Sequence, residues 1–479
     1  MTSTEALAAQ SRDTRGSAAT SPARTMLALA TAGLVVTMQQ TLVLPLLPRL
    51  MQAFHTSVSV VTWVFTVTLL AGAVSTPLLS RFGDMYGKKK MMLVTMALLV
   101  VGSTVCALSN SLGVLIVGRA LQGVSAALIP LAIGTIRDTF PRERITTAIG
   151  IVSATMGIGG TIGMLVTGVI AGHTTSHHPI FWIAAATAAA GLVLVGLCTP
   201  ASGERAGGRP DLPGAAVLGA WLVCLLLAIS KGNDWGWGSG LVIGLFVAAA
   251  ALCALWVGIE LRSRDPLVRL NLLVGRKSLS ANVAGLLLGF ALFAGFTLIA
   301  NFVQTPKAQV GYGLSGSVLD VALYLLPSAI TMLVFSALTG RVEARIGPGY
   351  TLAIGSVFVA VSYIWLAASH SSGTDFLVFS AIQGMGVGIG YAALGTLAVQ
   401  HVPMDQSGIA SGINSLVRTT GGAIASAATG AVLSAFVIGQ TSVPSLHGYV
   451  VCFVIGAVAA GLTAAVAAWH GLRLDARTT

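Results

Sequence analysis

Ser80-Arg81-Phe82-Gly83-Asp84-Met85-Tyr86-Gly87-Lys88-Lys89-Lys90 is a charged turn between two apolar runs, near 60–80 and 91–109. A worn copy returns 260 residues later as Gly340-Arg341-Val342-Glu343-Ala344-Arg345-Ile346-Gly347. Each flanking run has about the 20 residues that a helix needs to cross a bilayer core. Fourteen stretches of that length occur along the 479 residues. Charged side chains make up 9% of the chain and hydrophobic ones 55%, whereas soluble domains carry roughly 25% charge. The fold class is therefore an all-α polytopic membrane protein. A soluble enzyme, a secreted disulfide scaffold and a nucleic-acid-binding domain are excluded, and the formal net charge of +11 needs another explanation.

The membrane supplies one. An even number of spans puts both termini on one side, and basic residues collect in cytoplasmic loops. With the termini in the cytoplasm, the cytoplasmic segments hold twenty-one of the 26 Lys and Arg residues, and the outer loops hold only Arg49, Lys231 and Lys307. Arg119 and Arg418 fall within spans. A single miscounted span early in the chain would destroy that asymmetry. The sequence thus predicts a multi-pass protein of the cell (plasma or inner) membrane with both ends cytoplasmic. Residues 1–25 read as a disordered cytoplasmic tail without the apolar stretch of a cleavable signal. The five cysteines lie in apolar runs without CxxC spacing, which supports neither disulfides nor a zinc site.

The copied turn is one of three repeated places. Ala120, Gln122, Gly123, Ala132, Gly134 and Thr135 recur 261 residues on as Ala381, Gln383, Gly384, Ala393, Gly395 and Thr396. Gly159, Gly160, Ile162, Thr167 and Gly168 recur 262 residues on as Gly421, Gly422, Ile424, Thr429 and Gly430. A shift of eight spans preserves orientation, so the repeat is parallel. Its units are an N-terminal six-helix bundle at 26–198 and a C-terminal one at 280–470. A linker with two inserted helices at 199–261 and a cytoplasmic loop at 262–279 lie between them, and a tail closes the chain at 471–479. Two like bundles meeting around a central site are suited to rocking between inward-open and outward-open states.

With these features the sequence resembles the major facilitator superfamily, in particular its fourteen-helix drug:proton antiporter branch. The signature loop after helix 2 is matched by Asp84, Gly87, Lys88 and Lys89, with Ser80 where the family usually has Gly. Arg119, Gln122 and Gly123 match the helix 4 signature, and Asn414 to Gly422 with Arg418 resembles helix 13. The stretch Ser230-Lys231-Gly232-Asn233-Asp234-Trp235-Gly236-Trp237 resembles the segment after helix 7. Two departures stand out. Gln39 occupies the helix 1 position where the branch usually carries an Asp, and Gly159 to Met164 lacks the Pro of the usual helix 5 element. The resemblance implies a major facilitator fold of two six-helix bundles plus two inserted helices. It also implies that Asp84 with Arg81, Gly87, Lys88 and Lys89 gates the cytoplasmic side.

The residues themselves leave two readings for those lysines, a latch or mere obedience to the positive-inside rule. An ionisable group within a span costs several kcal/mol or more unless paired, solvated or facing a cavity. Arg119 and Arg418 are the basic cases and Asp320 the acidic one; each Arg reads either as a substrate-path cation or as a structural ion held by carbonyls and amides. The expected substrate and proton pathway adds Gln39, Thr41, Trp63, Gln122, Asn301, Gln304, Gln383 and Asn414, with Gln40, Tyr324 and Tyr391 as further polar or aromatic candidates. Asp320 is the first candidate proton carrier. Two cations and no central carboxylate favour neutral, zwitterionic or anionic amphiphiles over permanent cations, provided one Arg faces the cavity.

No nucleotide-binding loop, metal-ligand cluster or catalytic constellation is present in the sequence. The expected partners are a small amphipathic substrate and the lipid bilayer, with no nucleic acid, ATP or cofactor, the proton gradient as energy source, and a monomeric state. The leading expectation is a secondary active exporter working by alternating access. A facilitator or anion-coupled carrier, and a receptor or sensor that retains the fold without transport, are the alternatives.

Overall fold

Gly87 has φ 103°, a conformation that L side chains rarely adopt, and it separates two long helices at the quoted turn. Gly347 does the same in the copy, with φ 80° and Pro348 following. The computed structural model describes residues 21–174, 176–200, 211–264, 266–275, 278–400, 407–439 and 443–474. Of the tails expected at 1–25 and 471–479, residues 1–20 and 475–479 lie outside the described residues, as do linker residues 201–210, whereas residues 22–25 and 471–474 are helical.

The N-terminal bundle opens with α1 (Pro22–Thr41), which starts before the expected residue 26 and is extended by a 3-10 turn (Leu44–Leu46) and a short helix (Leu47–Ala53). It continues with α2 (Trp63–Tyr86), α3 (Lys88–Leu108), α4 (Leu112–Gly123), α5 (Arg142–His173) and α6 (His178–Cys198). Beyond Gly123, α4 tightens to a 3-10 turn over Val124–Ala127 and resumes as Leu128–Thr139. The inserted pair is α7 (Leu212–Trp235) and α8 (Gly240–Arg262). The C-terminal bundle holds α9 (Leu279–Gln304), α10 (318–346), α11 (348–368), α12 (Gly373–Gln400), α13 (Ser407–Ala435) and α14 (Leu446–Leu474).

Helices α10 and α11 follow each other directly within Val318–Ala368, broken only at Gly347, and they double back on each other. Gly384 lies against the backbone of Ser328, while Gly386 lies against that of Gly355. A straight helix would hold Ser328 and Gly355 about 40 Å apart at 1.5 Å per residue. Gly347 is therefore a hairpin. Eleven helices among the described residues are long and apolar enough to cross a membrane, counting Val318–Ala368 once. Its two arms, with α5 and α13 at 32 and 29 residues, bring the helices of spanning length to the fourteen expected.

Small residues set the packing. A Cβ at Gly159 would stand 2.5 Å from Leu34 O of α1, and Gly421 abuts Leu286 O of α9 just as closely. The repeated glycines thus play one part in both halves: each lets the fifth helix of a bundle approach the first. The bundles meet along α2 with α13 and α5 with α10, where Thr66 Oγ and Ser426 Oγ are 2.9 Å apart and Gly168 touches Leu319. Helix α7 packs on both α2 and α13, whereas α8 presents Leu241, Val247, Leu255 and Leu261 outward to lipid.

Candidate functional site

Where the two bundles meet, α1, α5, α9, α10 and α12 enclose a cavity of ≈ 50 Å³. Its wall includes Gln40, Thr41, Thr161, Phe293, Phe296 and Tyr391. Ligand pockets run to about 300–1,000 Å³, so a drug-sized molecule enters only if the halves part. The hydroxyls on the N-terminal wall are already engaged: Thr41 Oγ donates to Gly160 O at 2.7 Å and Thr37 Oγ to Thr155 O at 2.9 Å. A larger groove of ≈ 610 Å³ on α11, lined by Ile346, Tyr350, Ile354 and Val357, is apolar and lies on the outward-facing wall. It lacks the convergent polar groups of a binding site.

Arg119 does not line the central cavity. It is fully buried inside the N-terminal bundle, where Nε donates to Val64 O at 3.1 Å and Nη1 to Gln39 O at 2.9 Å and Gln122 Oε1 at 2.6 Å. Gln122 Nε2 donates to Ser103 Oγ at 2.8 Å, and Gln39 Nε2 to Ala184 O at 2.6 Å. The break in α4 permits this, because Gly123 abuts Thr68 O of α2 and leaves the Arg119 turn tucked beneath α1. The guanidinium is solvated by carbonyls and amides in place of water. Of the two readings left open by the sequence, this geometry fits the structural ion.

Arg418 is placed differently. Its guanidinium carbon stands 4.6 Å from the centroid of the Tyr391 ring, which belongs to the cavity wall. The Tyr391 hydroxyl is buried and has no hydrogen-bond partner among the described residues. Asn414, one turn before Arg418 on α13 and 4% exposed, has an unpartnered Nδ2. Gln383 is fully buried, with its amide against Gly295 and Tyr363 rather than at the cavity.

Several expected pathway residues serve the ends of the molecule instead. Trp63 Nε1 donates to Ser230 Oγ of α7 at 3.0 Å. Asn301 Nδ2 turns back to Thr297 O in its own helix, and Gln304 Nε2 crosses to Pro45 O at 3.1 Å, joining the bundles. Tyr324 lies against Gly373 and Phe376. Asp320 sits in a capping box at the start of α10: its Oδ2 accepts from Ser317 N at 2.6 Å while its own N–H donates to Ser317 Oγ at 3.2 Å. Glu260 corrects the reading that Asp320 is the one acid within a span. It lies in α8, 4% exposed, and Oε2 accepts from Val268 N at 3.2 Å.

At the quoted turn, Lys88 Nζ stands 2.7 Å from Asp138 Oδ2 at the end of α4 and 3.5 Å from Asp84 Oδ1. Asp84 therefore pairs within its own bundle, one turn beyond Arg81, and Lys89 adjoins the pair in sequence. The C-terminal bundle comes close here, with Gly412 of α13 beside Ser80. At the opposite end of the molecule, Asp234 Oδ2 accepts from Ser59 Oγ at 2.9 Å and pairs with Lys231 at 2.7 Å. Asn233 Nδ2 donates to Ala431 O and to Ser434 Oγ at 3.3 Å. The C-terminal end of α7 thus holds both bundles. No cluster of three or more His, Cys, Asp or Glu able to hold a metal ion occurs among the described residues.

Two pseudo-repeated helical bundles around a shared cavity define a membrane carrier. The family model of the Major Facilitator Superfamily matches residues 29–426, and the chain belongs to that superfamily: it is a transporter, not an enzyme. It is 30% identical over 424 residues to the tetracenomycin C resistance and export protein of Streptomyces glaucescens, covering 86% of this chain and 76% of that one. It is 28% identical over 393 residues to the multidrug resistance protein Stp of Mycobacterium tuberculosis (strain CDC 1551 / Oshkosh), covering 81% and 72%. The fold is shared with the human organic anion transporter MFSD10 (TETRAN), at TM-score 0.61 and 16% identity over 93% of this chain and 100% of that one. A POT family transporter solved with 5-aminolevulinic acid gives TM-score 0.64 and 14% identity over 92% and 94%.

Proposed function

We propose that the protein is a secondary active exporter of small amphipathic molecules of drug or antibiotic type. It works in the cell membrane as a monomer with both termini cytoplasmic, alternating access on the proton gradient without ATP. The observation that carries this reading is the cavity walled by both bundles, whose Thr and Gln groups and aromatic faces suit an amphipathic guest. The export function named for the Streptomyces relative and the multidrug resistance named for the Mycobacterium one support it. Gating follows from the two ends: Asp84, Lys88 and Asp138 organise one mouth, and the Asp234 segment ties the bundles at the other.

Among the described residues the cavity lining holds no carboxylate, which favours a second reading, a facilitator or anion-coupled carrier. Retention of amphipathic dyes in cells that express the protein separates the two. Export predicts severalfold lower retention, abolished by a protonophore. Lower retention that survives the protonophore would replace proton coupling with the second reading, and unchanged retention across a broad dye panel would overturn export.

A further inference from the structure

The two intramembrane cations differ in what is left over on each. The Arg119 guanidinium donates to protein oxygens on every side, whereas Arg418 makes no ion pair or hydrogen bond among the described residues and only stacks on a ring. Stacking uses the face of the guanidinium and leaves its in-plane N–H donors unspent. Around it stand two more polar groups without partners, the Tyr391 hydroxyl and the Asn414 amide nitrogen. Asn414 and Arg418 are four residues apart on one helix and so share a face.

A buried donor without an acceptor costs about 1–3 kcal/mol. Two such groups, the Tyr391 hydroxyl at the cavity wall and the Asn414 amide nitrogen, adjoin the partly exposed Arg418 guanidinium, and no acceptor among the described residues serves them. The guanidinium is donor only, so its complement carries negative charge. The neighbouring wall is aromatic: Phe293 lies 6.0 Å from Phe65 and 6.1 Å from Phe296, and both Phe293 and Phe296 face the cavity with Tyr391. A planar ring with an ionised edge satisfies both surfaces at once.

We propose that Tyr391, Arg418 and Asn414 form a substrate subsite that takes the anionic edge, a carboxylate or phenolate, of an aromatic substrate, with Phe293 and Phe296 stacking on its ring. This rests on the export reading for its physiological meaning, but binding tests it separately. Arg418 supplies charge, Tyr391 a hydroxyl and a stacking face, and Asn414 a second donor. Arg119 contributes nothing to selectivity.

The test uses the full chain in lipid nanodiscs and a carboxylated aromatic dye, its methyl ester, and a quaternary ammonium dye of similar size. Binding is read by fluorescence anisotropy, and gradient-driven uptake is measured in inverted proteoliposomes. The carboxylate is expected to bind at least about fivefold more tightly than the ester, the discrimination that a modest residue of a buried charge interaction provides. R418Q should erase that ratio while leaving ester affinity within about twofold; R418K should keep part of it, and Y391F should weaken both dyes. Equal affinity of wild type for carboxylate and ester, undiminished discrimination in R418Q, or preferred binding of the quaternary dye would overturn the subsite. If R418Q does not fold, R418K and Y391F decide: a carboxylate preference unaltered in both overturns the proposal. Selective binding without gradient-driven uptake would refute export and leave the subsite standing.

Discussion

At residue 119 the N-terminal bundle buries an arginine against Val64 O, Gln39 O and Gln122, while the matching position 261 residues on in the C-terminal bundle is Ser380. Ser380 is fully buried and its hydroxyl has no partner among the described residues. Where Gln122 meets Ser103 in one half, Gln383 meets the fully buried Tyr363 in the other, whose hydroxyl donates to Ala291 O and whose ring packs 5.3 Å from Phe379. The backbones follow the same plan with different fillings. The first is a saturated polar network; the second is aromatic packing with polar groups to spare. A saturated network fixes one geometry, because any shift breaks several hydrogen bonds at once. At this repeated position the unspent groups lie in the half whose Tyr391 lines the cavity with Arg418 stacked on its ring, so the N-terminal bundle serves as a frame here and the C-terminal one as the adaptable wall.

The most severe challenge to this contrast is Arg119→Leu. It leaves the Val64 and Gln39 carbonyls and the Gln122 Oε1 without their donor, and each buried polar group left unsatisfied costs about 1–3 kcal/mol. We expect a large fall in folded yield and in resistance to unfolding in mixed micelles. A well-folded variant with altered dye selectivity would move Arg119 from frame to site and erase the difference between the halves.

Much of the frame is legible in the sequence, and its partners are not. The repeat, the Gly87 turn and the helix count follow from spacing and charge. Asp320 reads instead as a proton carrier, although Ser317 three residues before it at the start of an apolar run carries the signal of the cap that the structure shows. The fate of the two arginines is hidden, because it depends on which distant backbone each one reaches. Arg119 finds Gln39 O 80 residues away, and Trp63 finds Ser230 167 residues away. Composition and periodicity constrain which face of a helix is apolar, but they do not rank its polar neighbours. Glu260 is illegible for a related reason: Val268 N, its buried donor, comes from the loop beyond the helix.

If the halves share backbone geometry, their close approaches should be equally intolerant. Gly123 abuts Thr68 O and its repeat Gly384 abuts Ser328 O, in both cases backbone of the helix two places earlier. Gly123→Ala and Gly384→Ala should each cost about 1–3 kcal/mol by overpacking, with values similar to each other in the same unfolding titration. A large cost in one half beside a neutral effect in the other would mean that the asymmetry extends to the backbone and that the common plan is only approximate.

The smallest effect is expected at Ser380, and its sign carries the argument. Deleting a hydrogen-bonded buried hydroxyl usually costs about 0.5–1.5 kcal/mol, whereas deleting one that lacks a partner removes a desolvation penalty and costs little or nothing. Because Ser380 Oγ is unpartnered at 0% exposure, Ser380→Ala should leave stability within about 0.5 kcal/mol of wild type or raise it slightly. Ser103→Ala, at a position in the N-terminal bundle that is also 0% exposed, provides the control, since it removes the nearer of the two acceptors of Gln122 Nε2 and should destabilise by more. The difference between these two serine substitutions measures how much more completely the N-terminal core is satisfied than the C-terminal one. Equal destabilisation would show that Ser380 Oγ finds a partner when the bundles move, and the C-terminal half would then be as saturated as its counterpart in at least one state of the cycle.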